Sequence, residues 1–393
     1  MTRSRTLTVI SAAAVGLAAS SAATAAAATP GNRSSFGPDI SADGRFVVFA
    51  SDATNLVTGD TNGRRDVFIR DTRMRTTRLV SKGLNGKLAN QSSYNPGVSD
   101  DGRYVSFTSD ASNLTAGDTN GKRDVFRADL VTGKTIRVSV SSTGAQGNGA
   151  SQQADMSANG SSIVFLSAAT NLTVRDTNGV DDVFLRDVAT NTTRRISIAP
   201  TSDQLLSPSS SATISDNGTV IGFEGPSGIR DAIYRWNRGT GKTTLLAEDQ
   251  VGSPVASNGG VSYADGYYRE SCSSSMVEIT ASPVSESFTI SNEDCSGSSD
   301  YSYDVSKWGA VAAIPTYNYY QETLELLVLD DDYQVQSYPG EYPAVRARLP
   351  VLASSVRMSS DGAKVAFTTV QSGISQVKVW TWATGAVETI SVR

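Results

Sequence analysis

Three acidic loops have the spacing that best suits metal chemistry. They share the pattern Asp-x-Asn-Gly-x-x-Asp at residues 60–66, 118–124 and 176–182. Carboxylate and amide oxygens around a glycine turn resemble part of a calcium loop, although the leading ligand is missing. Asp and Asn also cap backbone amides without a metal, and we favour that explanation. The candidate calcium ligands are Asp60, Asn62, Asp66, Asp118, Asn120, Asp124, Asp176, Asn178, Asp181 and Asp182.

The three loops differ in the charges that follow the glycine. The first two carry Arg64-Arg65 and Lys122-Arg123, whose positive charge would oppose a cation. The third carries Val180-Asp181, which adds a carboxylate. If any of the loops binds calcium, we expect the third to bind it best.

Catalytic chemistry is limited by the absence of histidine from the whole sequence. Ser-His-Asp and Cys-His catalysis and histidine-ligated zinc are excluded, whereas carboxylate, tyrosine and lysine chemistry stays open. The run at residues 239–243 resembles a phosphate loop, but Trp236 replaces its first glycine and a strand follows, so it predicts a hairpin turn. The sequence therefore shows no recognisable catalytic centre, and no cofactor is predicted to be required.

The N-terminus predicts export. Arg3 and Arg5 precede an apolar run at residues 8–19 and an Ala-rich stretch, which is typical of a signal peptide over residues 1–28. Its removal leaves 32 basic and 39 acidic residues, a net charge of −7, which disfavours nucleic acid as a partner. No later segment has the length of a membrane span. We predict a secreted, extracellular and monomeric protein of residues 29–393.

Cysteine occurs twice, at Cys272 and Cys295. In an exported chain two thiols tend to oxidise, so the sequence predicts one disulfide between them, within a Ser-rich stretch. A reactive thiol pair is the alternative, which we disfavour because only Arg269 nearby would lower a thiol pKa.

A repeat of 58 residues organises the chain. The hairpin turns that contain Gly44, Gly102, Gly160 and Gly218 follow one another at that spacing. In each repeat a short strand, the turn, an alternating strand and two further strands predict a four-stranded antiparallel meander. The second repeat illustrates this with strands predicted at residues 96–99, 103–107, 124–126 and 135–138.

Such sheets bury both faces only by stacking, and blades around a central channel are the usual arrangement. We therefore predict an all-β, single-ring β-propeller of about seven four-stranded blades, with six as the alternative count. The predicted blades cover approximately residues 34–82, 92–140, 150–198, 208–247, 253–292, 301–338 and 353–393. Because both terminal blades look complete, we expect the ring to close without strand exchange, by side-chain packing alone.

The repeat also carries a family resemblance. The Ser-x-Asp-Gly run at residues 41–48 and 359–367, with the Asp-Val-Phe segment at 124–135, resembles the repeat of TolB-like (WD40-like, PD40) β-propellers. The resemblance implies a periplasmic or secreted propeller that binds proteins or small ligands, since propellers host many activities. Prolyl-oligopeptidase-type enzymes carry a similar propeller beside a hydrolase domain, but this sequence has no G-x-S-x-G elbow.

The connections from outer to inner strands should surround one mouth of the channel. Their amides, hydroxyls and aromatic rings suit a protein or small polar ligand. The candidate ligand-binding residues are Phe36, Tyr94, Asn95, Gln152, Gln153, Ser210 and Ser211. We therefore predict a non-enzymatic binding or scaffolding module. The alternatives are a carboxylate- or tyrosine-dependent lyase or glycosidase in the channel, and a calcium-stabilised structural module.

Overall fold

A computed structural model describes residues 28–201, 203–248, 254–257, 260–267, 275–281, 286–292, 304–305, 311–318, 323–330, 345–350, 353–381 and 383–393. Within these ranges 28 strands form seven four-stranded antiparallel sheets. In each sheet the strands pair in the order in which they occur along the chain. The β-propeller of seven blades predicted from the repeat is confirmed.

The strands of the first four blades follow the repeat. Blade one contains β1 (Ser35–Ile40), β2 (Phe46–Ser51), β3 (Asp66–Asp71) and β4 (Thr76–Leu79). Blade two contains β5 (Ser93–Val98), β6 (Tyr104–Ser109), β7 (Asp124–Asp129) and β8 (Lys134–Arg137). Blade three contains β9 (Ser151–Met156), β10 (Ser162–Ser167), β11 (Asp182–Asp187) and β12 (Thr192–Arg195). Blade four contains β13 (Ser210–Ile214), β14 (Val220–Ser227), β15 (Arg230–Asn237) and β16 (Lys242–Glu248).

The last three blades keep the same topology. Blade five contains β17 (Val255–Ser257), β18 (Gly260–Tyr267), β19 (Ser275–Ala281) and β20 (Glu286–Asn292). Blade six contains β21 (Asp304–Val305), β22 (Val311–Asn318), β23 (Thr323–Asp330) and β24 (Val345–Pro350). Blade seven contains β25 (Ala353–Met358), β26 (Lys364–Gln371), β27 (Ile374–Thr381) and β28 (Ala386–Thr389). A 3-10 turn, Leu84–Gly86, lies between the first two blades.

The core lies between the blades because strand residues alternate between the two faces of a sheet. One face of blade one packs Phe49 and Phe68 against Val377 of blade seven. Its other face packs Val48 and Ile69 against blade two. Phe49 and Phe68 are cross-strand partners with ring centroids 5.9 Å apart, and equivalent stacked pairs recur in blades two, three and four. The repeated aromatic pair therefore fills the inter-blade layers to which blades one to four contribute it.

The first strand of every blade is innermost. Each first strand contacts the first strand of the next blade, and β25 contacts β1, so the seven strands surround a common axis. The strand order places β2 and β3 further out and β4 at the rim of the ring.

The Ser-x-Asp-Gly turn joins the first two strands of a blade. The Ser41 hydroxyl donates to Asp43 Oδ1 (2.8 Å) and accepts from the Phe46 amide (2.9 Å). The same bonds recur at Ser99, Ser157, Ser215 and Ser359. Gly102 in this turn has φ +70°, and a Cβ there would lie 2.1 Å from the Phe46 ring of the previous blade. Glycine therefore allows both the turn and the close approach of the blades.

The ring closes without strand exchange, as predicted, but side-chain packing does not act alone. Pro30 forms an isolated antiparallel bridge with Val392. The Gly31 amide donates to Ser391 O and the Arg393 amide donates to Thr29 O, both at 2.9 Å. The bridge repeats Lys82↔Leu88 and its equivalents between later blades. The segment before blade one thus takes the role of an inter-blade connection, and main-chain hydrogen bonds join the two termini.

Two predictions fall outside the described residues. The predicted signal peptide at 1–28 overlaps the description only at its last residue, and both cysteines of the predicted disulfide, Cys272 and Cys295, lie outside it. Both stay predictions. Among the residues that are described, no helix is long and apolar enough to cross a membrane.

Candidate functional site

A β-bulge in the innermost strand positions the predicted ligand-binding residues. The pairing of β5 with β6 shifts between Tyr94 and Gly97, and corresponding shifts occur in blades one, three, four and seven. A residue with positive φ lies at each bulge: Gly37 (52°), Asn95 (47°), Gln153 (49°), Ser211 (49°) and Ser355 (51°). Bulges redirect side chains from the regular alternation of a strand. The structure thus places the predicted residues at equivalent positions around the inner mouth.

Two arginines join the aromatic residues of this mouth. The Arg65 guanidinium carbon lies 4.3 Å from the centroid of the Phe36 ring and 5.6 Å from that of Tyr94. Arg123 approaches the Tyr94 ring to 5.0 Å. The four side chains alternate ring and guanidinium from blade one to blade two, and we name them the mouth ladder. Cation–π contacts of this kind hold both groups in place.

Each arginine of the mouth ladder is also paired with an aspartate. Arg65 makes two hydrogen bonds of 2.9 and 2.8 Å to Asp52, and Arg123 pairs with Asp110 at 2.9 Å. These side chains stay about one-third exposed. The mouth ladder is therefore a polar surface with balanced charge. The sequence analysis considered Arg65 and Arg123 only as charges that oppose a metal ion. Their position directly before the third strand of each blade is the signal that could have identified them as residues of the mouth.

The predicted residues of blades three and four differ in their surroundings. Gln153 is exposed and Gln152 is half-buried. Ser210 is exposed and donates to Glu224 Oε2 at 2.7 Å. Burial raises the pKa of Glu224, and the Ser210 bond opposes that rise. The mouth ladder does not continue here, because Asp181 stands where blades one and two have arginine.

The three Asp-x-Asn-Gly-x-x-Asp loops use their asparagine as a structural tie. Asn62 Nδ2 donates to Asp66 Oδ2 (2.8 Å) and to the Ala89 carbonyl (3.2 Å), while its Oδ1 accepts from the Arg64 amide. Asn120 and Asn178 make the corresponding bonds. An amide nitrogen directed at the last carboxylate disfavours a cation between the two residues. This geometry fits the turn explanation.

A buried arginine lies against the carboxylates of the second and third loops. Arg137 lies 3.3 Å from Asp118 and 3.5 Å from Asp124, and its NH1 donates to Gln146 Oε1. Arg195 lies 3.4 Å from Asp176 and 3.7 Å from Asp182. Our ranking of the third loop as the best calcium site did not consider this guanidinium. Within the described residues no group of three or more acidic or cysteine side chains could hold a metal ion.

The first loop lacks that arginine. Leu79 and Leu88 stand at the positions of Arg137 and Gln146. Asp60 is 4% exposed, and no side chain among the described residues bonds to either of its oxygens; burial raises its pKa, and the nearby backbone amide of Asn62 opposes that rise. Burial, with the negative charge of Asp60 adding to it, raises the pKa of Asp66 to about 6. Among the described residues no ion pair involves either Asp60 or Asp66; the cation that reaches this loop is Arg393, whose guanidinium donates to Thr58 Oγ1 at 2.9 Å.

Two innermost strands carry a carboxylate that bonds to the following blade. Asp39 Oδ2 accepts from the Val98 amide of blade two at 2.7 Å, and Asp155 Oδ2 accepts from the Ile214 amide of blade four at 2.8 Å. Burial is the main cause that raises the pKa of Asp155 to about 6, and the charge of Asp39 adds to it. Arg357 of blade seven lowers the pKa of both carboxyl groups. Each aspartate thus ties its own blade to the next one.

Comparisons with known proteins agree on the fold. No protein-family model and no curated protein matches the chain. A structure from a study of two prolyl endopeptidases matches with TM-score 0.58 and 14% identity, over 91% of this chain and 49% of that one. Oligogalacturonate lyase from Vibrio parahaemolyticus matches with TM-score 0.54 and 13% identity, over 91% of each chain.

TolB from Acinetobacter baumannii matches with TM-score 0.42 and 20% identity, over 67% of this chain and 55% of that one. This chain spans about half the length of the TolB and endopeptidase structures. The ring of seven four-stranded sheets, together with the likenesses to the endopeptidase and lyase structures, identifies the fold as a β-propeller.

Proposed function

We propose that the chain is a binding module that recognises a protein or small polar ligand at the inner mouth, where the mouth ladder and the bulge residues lie. The predicted signal peptide supports a place of action outside the cytoplasm. One observation carries the proposal, namely the repeated left-handed bulge that presents polar side chains to solvent.

The bulge places non-glycine residues in an unfavourable conformation. A side chain in the left-handed region costs about 1 kcal/mol relative to glycine, less for asparagine. Blade one shows that glycine fits, because Gly37 has φ +52° at the same position. Blades two and three nevertheless carry Asn95 and Gln153, both exposed. Fold stability does not require exposed amide side chains at this strained position, so their presence supports a binding role.

The chemistry of the mouth favours a ligand without a large net charge. Its guanidinium groups are neutralised by Asp52 and Asp110, while the amides of Asn95 and Gln153 both donate and accept hydrogen bonds. Peptide groups and sugar hydroxyls match such a surface. The half-buried ring of Tyr94 adds an apolar area beside these polar groups.

Glycine substitutions at the bulge separate binding from stability. We expect N95G/Q153G to lose at least about tenfold in binding, since two ligand hydrogen bonds are removed. Its free energy of unfolding should stay unchanged or rise by up to about 1 kcal/mol per site, because strain is relieved. Labelled wild-type and variant proteins on arrays of neutral oligosaccharides and of peptides, with urea unfolding in parallel, measure both effects.

The matched control is R75G. Arg75 also has φ near +54° and is exposed, but it lies in the β3–β4 turn on the opposite face of the ring. R75G should have the same small effect on stability and keep every array signal. Array binding that survives in N95G/Q153G, or is lost equally in R75G, contradicts a binding site at the mouth.

A carboxylate-dependent lyase or glycosidase is the second candidate, and the pair of Asp39 and Asp155 favours it. A carboxyl group with a pKa of about 6 suits a general acid, and Asp39 contributes to that value. Both groups are, however, already occupied by amides of the next blade. Hydrolysis of a neutral oligosaccharide, or β-elimination of one that contains a uronate, would favour the enzyme if D155N abolishes the reaction and N95G/Q153G only weakens it.

A further inference from the structure

The first acidic loop differs from its two counterparts by the loss of one buried cation. In blades two and three a guanidinium fills the space beside the paired aspartates, with Arg137 and Arg195 at 7% and 12% side-chain exposure. In blade one Leu79 takes that position, and Asp60 stays 4% exposed with only the Asn62 backbone amide nearby and no side-chain partner among the described residues. A buried carboxylate without a counter-cation is costly, so the arrangement points to a cation supplied from outside the chain.

A cavity leads from solvent to this carboxylate. It has a volume of about 930 Å³ and lies between the outer strands of blades one and two, away from the inner mouth. Asp60, Leu79 and Leu88 line it. The two leucines replace an arginine and a glutamine and offer apolar surface along which an alkyl chain can lie.

The donor set selects a guanidinium over a metal ion. Asn62 directs its amide nitrogen at Asp66, where a metal would need an oxygen, and Ser81 occupies the other oxygen of that carboxylate at 2.6 Å. Only Asp60 then has oxygens to offer, and one carboxylate is too few for a stable metal site. Blades two and three show that the same loop accommodates a guanidinium beside the same Asn and Ser bonds.

The rim of the cavity carries the opposite charge. Arg78, Lys82 and Lys134 line it and are exposed. These exposed cations are available to the carboxylate of a ligand whose positive end approaches Asp60, whereas Asp129, which also lines the cavity, is paired with Arg103. A ligand with a guanidinium at one end and a carboxylate at the other matches this separation of charges.

We propose that blade one binds the guanidinium of such a ligand in the place that Arg137 fills in blade two, the source being free L-arginine or the C-terminal arginine of a peptide. The two sources share the alkyl guanidinium and the α-carboxylate. This site is distinct from the inner mouth and stands independently of the function proposed for it.

Calorimetric titration of the mature protein tests the proposal. We expect L-arginine to bind at one site and L-citrulline, which is neutral and of the same shape, to give no binding. A tripeptide that ends in a free C-terminal arginine, compared with its amidated form and with L-arginine, identifies the source. Tighter binding of the free-acid peptide assigns a peptide terminus, and tighter binding of L-arginine assigns the amino acid.

Two variants and one control locate the site. D60N should weaken L-arginine binding by at least about tenfold, because it removes the partner of the guanidinium. L79R/L88Q recreates the arginine and glutamine of blade two, so it should fold and lose binding completely. V131R, which adds the same charge to an exposed turn residue, should bind as the wild type does. Absence of L-arginine binding, equal binding of L-citrulline, or full binding in L79R/L88Q would overturn the proposal.

Discussion

Replacing Arg195 with leucine should lower the free energy of unfolding by about 3 kcal/mol at pH 7.5. The side chain is 12% exposed and lies 3.4 Å from Asp176 and 3.7 Å from Asp182. Its removal leaves two buried carboxylates without a counter-cation, and it also takes away the hydrogen bond to Gln204 Oε1. Removing one partner of a buried ion pair costs more free energy than the intact pair contributes to stability, because the remaining charge stays buried.

The neighbouring arginine supplies a matched control. Arg194 precedes Arg195 on the same outer strand, but it is exposed. R194L makes the same replacement of arginine by leucine and removes the same positive charge. We expect it to change the free energy of unfolding by no more than about 0.5 kcal/mol. Urea unfolding of both variants and of the wild type measures the difference. Equal effects in R194L and R195L would show that the arginine contributes through net charge and not through the buried pair.

The contrast between blade one and the next two blades is visible in the sequence but not interpretable there. Residues 79, 137 and 195 occupy one position of the 58-residue repeat and read Leu, Arg and Arg. The carboxylates they face lie 19 residues earlier, across two strands and a loop. Only the meander, which returns β8 beside the loop before β7, brings Arg137 and Asp118 together. The repeat predicted the strands and turns because their signals are local.

The residues of the inner mouth were predicted in part, again because their sequence signals are local. The connections between blades are local, so the sequence named Tyr94, Asn95 and Gln153 as mouth residues. The sequence did not predict the bulge that redirects these side chains. A bulge depends on how the innermost strand bends within the ring, which is not a local property of the sequence. The sequence also did not predict the stacking of Arg65 on Phe36. Phe36 lies at the start of the first strand and Arg65 directly before the third, so the contact forms only when the sheet has folded. Closure through the Pro30–Val392 bridge depends on both termini and had no local signal.

Replacing Asp155 with asparagine should stabilise the protein, and the gain should depend on pH. Burial holds the pKa of Asp155 at about 6 in the folded state, against 3.8 as its ordinary value. A carboxyl group with a raised pKa lowers stability as it ionises, so its penalty is absent below about pH 4, grows between pH 4 and 6, and is complete above that. One pKa unit corresponds to about 1.4 kcal/mol, and the group is half-buried, so we expect D155N to gain about 2 kcal/mol at pH 7.5 and almost nothing at pH 4.

The sign of this change also bears on what the channel does. Asparagine keeps an oxygen that can accept from the Ile214 amide, so D155N preserves the tie between blades three and four while it removes the charge beside Asp39. D203N, which removes an equal charge from an exposed loop residue, should change the free energy of unfolding by no more than about 0.5 kcal/mol at either pH. A D155N protein that is less stable than the wild type at pH 7.5 would mean that the ionised carboxylate itself holds the blades together. A stabilised D155N that keeps ligand binding at the mouth would instead assign Asp155 to the architecture of the channel, and would place recognition on the polar face above it.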